Sequence, residues 1–193
     1  MTSQTIILTE MTERDVPFLL DLWNRHEVMR YADEFPGLRG WKKSDTPETA
    51  WEIYQQKRAE LGPCYTQLIL YLADSLPIGE SFICPLPEGY RFGKKWEKPT
   101  GILCVMGDIK LLPDYWGQGL GTAGMKQVVQ WVFSHTPTEM FAVPPNRRNP
   151  AAKRVYEKAG FQETDSGFWY RHEVMALSKS SIIKYLKRQE NYE

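Results

Sequence analysis

A glycine-rich turn is the part of this sequence whose residue types most directly suggest chemistry. Leu111 to Thr122 read LLPDYWGQGLGT, so an apolar strand pattern ends at Pro113 and three glycines precede an apolar helix pattern. Small residues at such a turn let several backbone N–H groups and the positive end of the helix dipole point at one spot. That spot can bind phosphate without a basic side chain. On spacing alone, an anion site and an ordinary helix start both remain open.

Two familiar phosphate-binding motifs do not match the spacing of these glycines. The Walker A motif needs G-x-x-x-x-G-K-[ST], and no Lys-Ser or Lys-Thr pair follows the turn. The dinucleotide fingerprint needs G-x-G-x-x-G, whereas Gly117, Gly119 and Gly121 are spaced G-x-G-x-G. If the turn binds an anion, it therefore does so through a motif other than these two.

A second stretch could supply a proton donor. Asn149 to Phe161 read NPAAKRVYEKAGF, which begins with a typical helix N-cap residue and ends at a glycine typical of helix ends. Asn149 and Tyr156 are seven residues apart, about two helical turns, and therefore share one face. An amide and a phenol on one face can hold a ligand and donate a proton. Plain capping by Asn149 and packing of Tyr156 are the alternative.

Alternating strand and helix patterns surround these two stretches. Thr12, with Asp15 at the capping-box position, predicts the start of the first helix. The predicted strands are 6–8, 65–73, 78–84, 101–112 and 140–143, with a closing hairpin of 161–164 and 168–177 across a turn at 165–167. The predicted helices are one carrying Phe18 to Trp23, then 27–31, 47–61, 119–134, 150–159 and a short one from 180. Residues 85–99 are predicted to leave the sheet as a long loop. The pattern indicates one mixed α/β domain over residues 1–193.

Composition excludes several classes of function. The 24 Lys and Arg balance 24 Asp and Glu, which argues against a dedicated nucleic-acid binder. Three widely spaced cysteines without a Cys/His cluster predict buried thiols, with neither a disulfide framework nor a metal site. The N-terminus has no signal-peptide pattern, and the longest apolar run, around 67–73, is too short to span a bilayer. We therefore expect a cytoplasmic protein without a membrane or nucleic-acid partner.

Taken together, the two stretches resemble the GNAT superfamily of acyl-CoA-dependent N-acetyltransferases. The turn is similar to its [R/Q]-x-x-G-x-[G/A] pyrophosphate loop, although Trp116 stands where many members have Arg or Gln. The second stretch is similar to its N-x-x-A-x-x-x-Y-E-K-x-G-F element. The resemblance covers roughly 101–178, and the N-terminal half is more loosely similar to the ribosomal-protein and aminoglycoside branches. It implies a central, mostly antiparallel, twisted sheet of about seven strands, splayed between the fourth and fifth and flanked by helices.

The resemblance also implies acetyl-CoA as co-substrate, with no metal. Amides of the turn would bind the pyrophosphate, Ile109 and Leu111 would pair with the pantetheine arm, and Ala152 would leave room for it. Asn149 would bond the pantetheine, and Lys153 is a candidate for a phosphate contact. The implied cofactor-binding residues are Ile109, Leu111, Trp116, Gly117, Gln118, Gly119, Leu120, Gly121, Thr122, Asn149, Ala152, Lys153 and Tyr156.

The implied reaction is direct attack of a neutral amine on acetyl-CoA. Tyr156 would be the general acid for the departing thiolate, and the Leu111 N–H would polarise the thioester carbonyl. Some protein-acetylating members carry a Glu early in the preceding strand, where this chain has Val105. Asp108 on the same strand is therefore the candidate base, acting directly or through water. A solvated strand-edge carboxylate is the alternative for Asp108.

The amine acceptor stays open between a small molecule and a peptide or protein amine. Asp33 and Glu34 could attract a cationic amine, which favours a small cationic acceptor, or they could form a plain solvated turn. Aromatic residues lie in segments that wall the acceptor side in the family: Trp23, Tyr31, Trp41, Tyr90, Phe92 and Trp96. Both a monomer and a homodimer fit the resemblance. An acyl-CoA-binding sensor without catalysis is the alternative function, which the missing early-strand Glu leaves open.

Overall fold

An open, eight-stranded sheet forms the centre of the molecule in a computed structural model. The structure describes residues 5–32, 40–73, 76–86, 103–169 and 172–182, and the side chains of 165–173 are outside the description. The strands are β1 (Ile6–Glu10), β2 (Thr66–Leu72), β3 (Pro77–Pro85), β4 (Cys104–Gly107), β5 (Lys110–Leu111), β6 (Met140–Val143), β7 (Gln162–Trp169) and β8 (His172–Ser178). The helices are α1 (Val16–Trp23), α2 (His26–Met29), α3 (Pro47–Leu61), α4 (Leu120–His135) and α5 (Pro150–Lys158).

The strand order explains where the sheet opens. Neighbours follow the order β1-β2-β3-β4-β6-β8-β7, and β5 pairs with β3 alone. Only β4 and β6 are parallel, and their pairing runs from Cys104 opposite Met140 to Met106 opposite Ala142. Beyond that point β5 keeps the register of β3, with Lys110 opposite Glu80, but has no pairing with β6. The predicted strand 101–112 is therefore β4 plus β5, and the sheet splays where Asp108 and Ile109 interrupt it.

Helix ends follow the sequence signals. Thr12 and Asp15 form the predicted capping box, with the Thr12 N–H 2.7 Å from Asp15 Oδ2, ahead of a 3₁₀ turn that leads into α1. Thr46 caps α3 through its side-chain oxygen, which accepts from the Thr49 N–H at 3.3 Å. Gly62 ends α3 with φ of +68°, a left-handed conformation that glycine adopts without a Cβ penalty.

Apolar side chains of each strand divide between the two faces of the sheet, because successive side chains in a strand point to opposite sides. Leu68, Ile83 and Val105 join the core under α4 and α5. Their neighbours Ile69 and Phe82 instead join the cores of the opposite face, where α1 and α3 pack. All three cysteines are buried, as predicted. No helix of the described residues is long and apolar enough to cross a membrane.

The closing hairpin differs from its predicted form. Residues 165–167 belong to β7 instead of forming the turn, and the chain reverses between Trp169 and His172. The register of β7 against β8 shifts between Glu163 and Phe168, so the strand absorbs the turn-like residues as an irregularity. At the C-terminus, residues 179–182 are helical. The remainder of that predicted helix and most of the predicted loop 85–99 lie outside the described residues.

Candidate active site

The glycine-rich turn leaves an open space in front of its backbone. After β5, a 3₁₀ turn (Pro113–Tyr115) leads to Gly117 and Gly119, which have φ of +75° and +81°. A Cβ at either glycine would meet no atom within 4 Å. Gly119 is also the N-cap of α4, so the positive end of a 16-residue helix faces this space. The geometry suits an anion, which is one of the two alternatives that the glycine spacing leaves open.

A groove of about 490 Å³ runs from this turn to α5, and we call it the glycine-turn groove. The predicted residues that line it are Ile109, Leu111, Trp116, Gly117, Gly119, Gly121, Thr122, Asn149 and Ala152. Its described basic residues are Arg30, Lys110, Arg154 and Lys158, and its described acidic residue is Glu27. Arg30 directly follows α2, and Arg154 and Lys158 lie on α5, so positive side chains line the groove together with the glycine turn.

Four of the predicted cofactor-binding residues are not among the described residues that line the groove. Gln118 donates through Nε2 to the Asp114 carbonyl at 2.7 Å, and the Leu120 side chain is buried in the core. Lys153 pairs with Glu163, so the basic groove residues of α5 are its neighbours Arg154 and Lys158. Tyr156 lines the adjoining cavity instead. Among the groove residues themselves, the Thr122 N–H already donates to the Gly119 carbonyl at 3.1 Å.

The end of β5 presents backbone groups to the splayed side of the sheet. Leu112 donates to the Ile78 carbonyl at 2.9 Å, and Lys110 is the register partner of Glu80. In an antiparallel pair the intervening residue turns its N–H and C=O away from the partner strand. Leu111 therefore directs both groups into the splay. Its carbonyl accepts a hydrogen bond from Trp116 Nε1 at 2.9 Å, so the exposed indole fixes this strand end.

Helix α5 brings Asn149 and Tyr156 to one place, as the spacing predicts. Asn149 caps the helix, its side-chain oxygen accepting from the Ala152 N–H at 3.1 Å. Both Asn149 and Tyr156 line a second cavity of about 450 Å³, which we call the Asp108 cavity. Asn149, Ala152 and Ile109 line this cavity and the glycine-turn groove together, so the two spaces meet beside Tyr156.

Tyr156 is held as a neutral phenol. Burial raises its pKa, and the charges of Asp108 and Glu80 raise it further, while a backbone hydrogen bond from Ile109 opposes the shift. A phenol whose pKa lies above its ordinary value keeps its proton at neutral pH. It can therefore act as a proton donor where the two spaces meet.

A buried charge network lies under the Asp108 cavity. Lys110 Nζ is 2.9 Å from Glu80 Oε1 and 2.5 Å from Asp108 Oδ2. The side chains of Glu80 and Lys110 are 0% and 6% exposed, whereas that of Asp108 is 33% exposed. Trp23 Nε1 donates to Glu80 Oε1 at 3.0 Å, and the Lys110 ammonium lies 4.1 Å from the Trp23 ring centroid.

The network leaves one carboxylate oxygen for a ligand. Asp108 Oδ1 is buried and has no hydrogen-bond partner among the described residues, while Lys110 holds Oδ2 in place. A buried unpaired acceptor is unfavourable unless a ligand or water satisfies it. Asp108 lines the cavity, and its charge reaches Tyr156. The structure thus brings the predicted acid and base candidates to one cavity.

The pKa values of Glu80 and Lys110 are both raised, for different reasons. Burial raises the pKa of Glu80 to about 7, with Asp108 adding to the rise and Lys110 opposing it. Burial alone would lower the pKa of Lys110, but the carboxylates of Asp108 and Glu80 outweigh it and raise that pKa. Lys110 is therefore a permanent cation between two acids, and Glu80 is the member that can change its charge near neutral pH.

Comparison with known proteins gives the family. The family model of the acetyltransferase (GNAT) domain matches residues 5–162. The chain belongs to the GNAT acetyltransferase family. The fold agrees: a spermidine N-acetyltransferase from Vibrio cholerae, solved in complex with CoA and spermine, superposes with a TM-score of 0.68 at 17% identity, covering 92% of this chain and 98% of that one. The aminoglycoside acetyltransferase AAC(6')-Ib, solved with coenzyme A and kanamycin, gives 0.67 at 23% identity, covering 93% and 98%.

Family membership confirms the resemblance drawn from the two motifs, and the fold predicted for GNAT members is also confirmed. The sheet is mostly antiparallel and opens at the predicted place, although it has eight strands because the fourth predicted strand divides into two. Trp23, Tyr31 and Trp41 line the Asp108 cavity. Asp33 and Glu34 lie outside the described residues, as do Tyr90, Phe92 and Trp96.

Sequence reasoning missed Glu80 and Lys110, the two buried members of the charge network. One signal for each was present: Glu80 interrupts an otherwise apolar strand, and Lys110 follows Asp108 at the two-residue spacing that places both on one face. Their pairing depends on the register of β5 against β3, which one sequence does not reveal. No group of three or more potential metal ligands occurs among the His, Cys, Asp and Glu residues that the structure describes.

Proposed function

We propose that this GNAT chain transfers an acetyl group from acetyl-CoA to a primary amine, with the cofactor in the glycine-turn groove and the amine in the Asp108 cavity. The observation that carries the proposal is the meeting of these two spaces at Ile109, Asn149 and Ala152, beside Tyr156 and Asp108. Solved GNAT neighbours hold CoA together with spermine or kanamycin. Those bound ligands support a small-molecule amine as the acceptor.

The glycine turn fits a pyrophosphate. The open space before Gly117 and Gly119, the start of α4 and the cations Arg30, Arg154 and Lys158 together favour a ligand with several negative charges. The co-substrate would supply the acetyl thioester. In the splay, the Leu111 N–H would polarise the thioester carbonyl, while Trp116 holds the Leu111 carbonyl in position.

Asp108 and Tyr156 would move the protons. Asp108 Oδ1 would accept the hydrogen bond of the attacking amine, and Lys110 would keep the carboxylate oriented through Oδ2. Tyr156, whose pKa is raised by burial, would protonate the leaving thiolate. The groove and the cavity together would hold both reactants in contact, which itself contributes to the rate.

A thiol-release assay with acetyl-CoA and a panel of primary amines tests the proposal. We expect thiol release that depends on both the amine and the enzyme, and a loss of about 10² to 10³-fold in kcat for Asp108→Asn. Tight binding of acetyl-CoA without turnover on any amine would favour the alternative, a GNAT-fold sensor. An Asp108→Asn variant with unchanged kcat across pH 6 to 9 would remove the base role from this residue.

A further inference from the structure

A third cavity adjoins the Asp108 cavity on the side away from the glycine turn. Its volume is about 360 Å³, and we call it the Tyr54 cavity. Five residues line both this cavity and the Asp108 cavity, so the two share a wall. These shared residues are Trp23, Gly40, Trp41, Phe82 and Cys84. An acceptor with its amine at Asp108 that extends past these shared residues would reach the Tyr54 cavity.

The Tyr54 cavity has rigid aromatic walls. The Tyr54 ring stacks on Trp41 at a centroid distance of 6.1 Å and on Trp51 at 5.6 Å. Tyr65 packs edge-on against Phe82 at 5.1 Å. Such packed rings offer a large apolar surface at little conformational cost. The cavity is also large enough for a ring, since an apolar cavity of about 150 Å³ accommodates benzene.

Polar groups at this cavity already have partners. Trp41 Nε1 donates to Gln67 Oε1 at 3.1 Å, and the Tyr54 hydroxyl accepts from the Gln67 backbone N–H at 3.3 Å. The Gln67 amide in turn donates to Glu80. These groups are therefore occupied within the protein, and the surface they leave for a ligand is mainly that of the rings.

Charge argues against a polycation in these spaces. Lys42 and Lys43 line the Asp108 cavity, and Lys57 lines the Tyr54 cavity. Asp108 is the only carboxylate among the described residues that line either cavity. One carboxylate matches one ammonium group, whereas further positive charges on the ligand would meet lysines.

Resting on the acetyl transfer proposed above, we propose that the acceptor is a primary monoamine with an aromatic body on a short alkyl chain. Its amine lies between Asp108 and Tyr156, and its ring occupies the Tyr54 cavity. The aromatic walls supply the affinity, and Asp108, the one carboxylate among the described lining residues, pairs with one positive charge. This acceptor class differs from the polyamine and the aminoglycoside held by the solved neighbours.

Three amines of graded structure test this inference by binding, independently of turnover. Calorimetry on the CoA-saturated protein would compare propylamine, 3-phenylpropylamine and spermidine. We expect the ring to increase affinity at least tenfold over propylamine, because it buries a large apolar surface. Spermidine should bind more weakly than 3-phenylpropylamine. Equal affinity of the two monoamines, or tighter binding of spermidine, would overturn the inference.

A cavity-filling variant locates the ring. Ile53→Trp on α3 fills the Tyr54 cavity and should remove most of the ring's affinity gain while leaving propylamine binding unchanged. Gln55→Trp places the same side chain at an exposed site on the same helix and should have no effect. If Ile53→Trp does not fold, Leu61→Trp, at a partly exposed lining position, replaces it. If the folded variant still binds 3-phenylpropylamine at least tenfold more tightly than propylamine, the ring does not occupy the Tyr54 cavity.

Failure of the inference and failure of the proposed function give different results. If the ring increases amine affinity in the parent protein and not in Ile53→Trp, while no amine is acetylated, the ligand class stands and the catalytic proposal fails. If acetyl transfer occurs with amines but the ring adds no affinity, the catalytic proposal stands and the ligand class is wrong.

Discussion

The glycine-turn groove and the Asp108 cavity are built by opposite means. The groove is formed mainly by two continuous segments, the turn from Leu111 to Thr122 and the start of α5, and it presents backbone groups and open space. The Asp108 cavity collects side chains from α1, β3, β5 and α5, and it rests on buried charges. Because a backbone-built site depends on local turn geometry, its sequence signature is short and recognisable. A site built from distant side chains can change its ligand while keeping the fold.

Their electrostatics differ in the same way. Arg30, Arg154 and Lys158 of the groove are exposed to solvent, which screens their charges, whereas Glu80 and Lys110 are almost completely buried. Exposed charges contribute little to stability, but loss of one member of a buried pair leaves the other without compensation. We therefore expect substitutions in the groove to change binding, and substitutions under the cavity to change catalysis and stability together.

The largest effect is expected from Tyr156→Phe, which removes the proposed acid at the boundary of the two regions. The change should lower kcat about 10² to 10⁴-fold, since a positioned acid contributes that much, and leave acetyl-CoA affinity nearly unchanged. Steady-state kinetics and a binding titration measure both. Tyr71→Phe, which removes a phenol that bonds Asp15 away from both spaces, is the matched control. Unchanged kcat in Tyr156→Phe would exclude the acid role.

Lys110→Met tests the buried charge network under the Asp108 cavity. At pH 8.5 we expect a loss of about 3 to 5 kcal/mol in the free energy of unfolding, because Glu80 must then either stay charged without the Lys110 cation or take up a proton at alkaline pH. Burial already raises the Glu80 pKa to about 7, and losing the Lys110 cation raises it further. A carboxyl whose pKa is raised in the folded state stabilises below its unfolded value and loses that contribution as pH rises through its folded value. The defect should therefore shrink at pH 5.

Denaturant unfolding at the two pH values provides the measurement. Lys57→Met is the control, since Lys57 and Glu60 pair at 2.8 Å with side chains 45% and 56% exposed. That variant should change stability by at most about 1 kcal/mol at either pH. A Lys110→Met defect that is equal at both pH values would show that Glu80 does not titrate in this range.

The smallest effect is expected from Trp116→Phe, on the groove side. The change removes the hydrogen bond to the Leu111 carbonyl and keeps an aromatic ring. A single hydrogen bond contributes roughly 0.5 to 1.5 kcal/mol, so kcat/KM for acetyl-CoA should fall about two- to tenfold. Trp131→Phe, whose ring stacks on His135 outside the groove, serves as the control. If both variants behave like the parent protein, the indole does not position the strand end.

The sequence predicts the two regions unequally, for a physical reason. Local signals such as the Thr12 cap, the Gly62 helix end and the glycine turn give most elements and the glycine side of the groove, but not the lining residues Arg30, Arg154 and Lys158. The charge network follows from the pairing of β3 with β5, because Glu80 and Lys110 are thirty positions apart and meet only through that register. The hairpin is predicted wrongly at 165–167 because β7 absorbs these polar residues within an irregular strand.

Acetyl-CoA binding to a matched pair of glycine variants tests the central claim most directly. Gly119 and Gly62 both have positive φ and space for a Cβ, but only Gly119 lines the groove. Both changes add the same side chain, but Asn tolerates the left-handed conformation of Gly119, whereas Gly62, with ψ of −158°, lies in a region nearly confined to glycine. Gly62→Asn is therefore the more strained change, which makes it a stringent control for backbone strain outside the groove. By calorimetry we predict that the parent protein and Gly62→Asn bind acetyl-CoA alike, and that Gly119→Asn binds at least tenfold more weakly. Equal affinity of all three proteins, or no binding by the parent, would contradict the assignment of the groove.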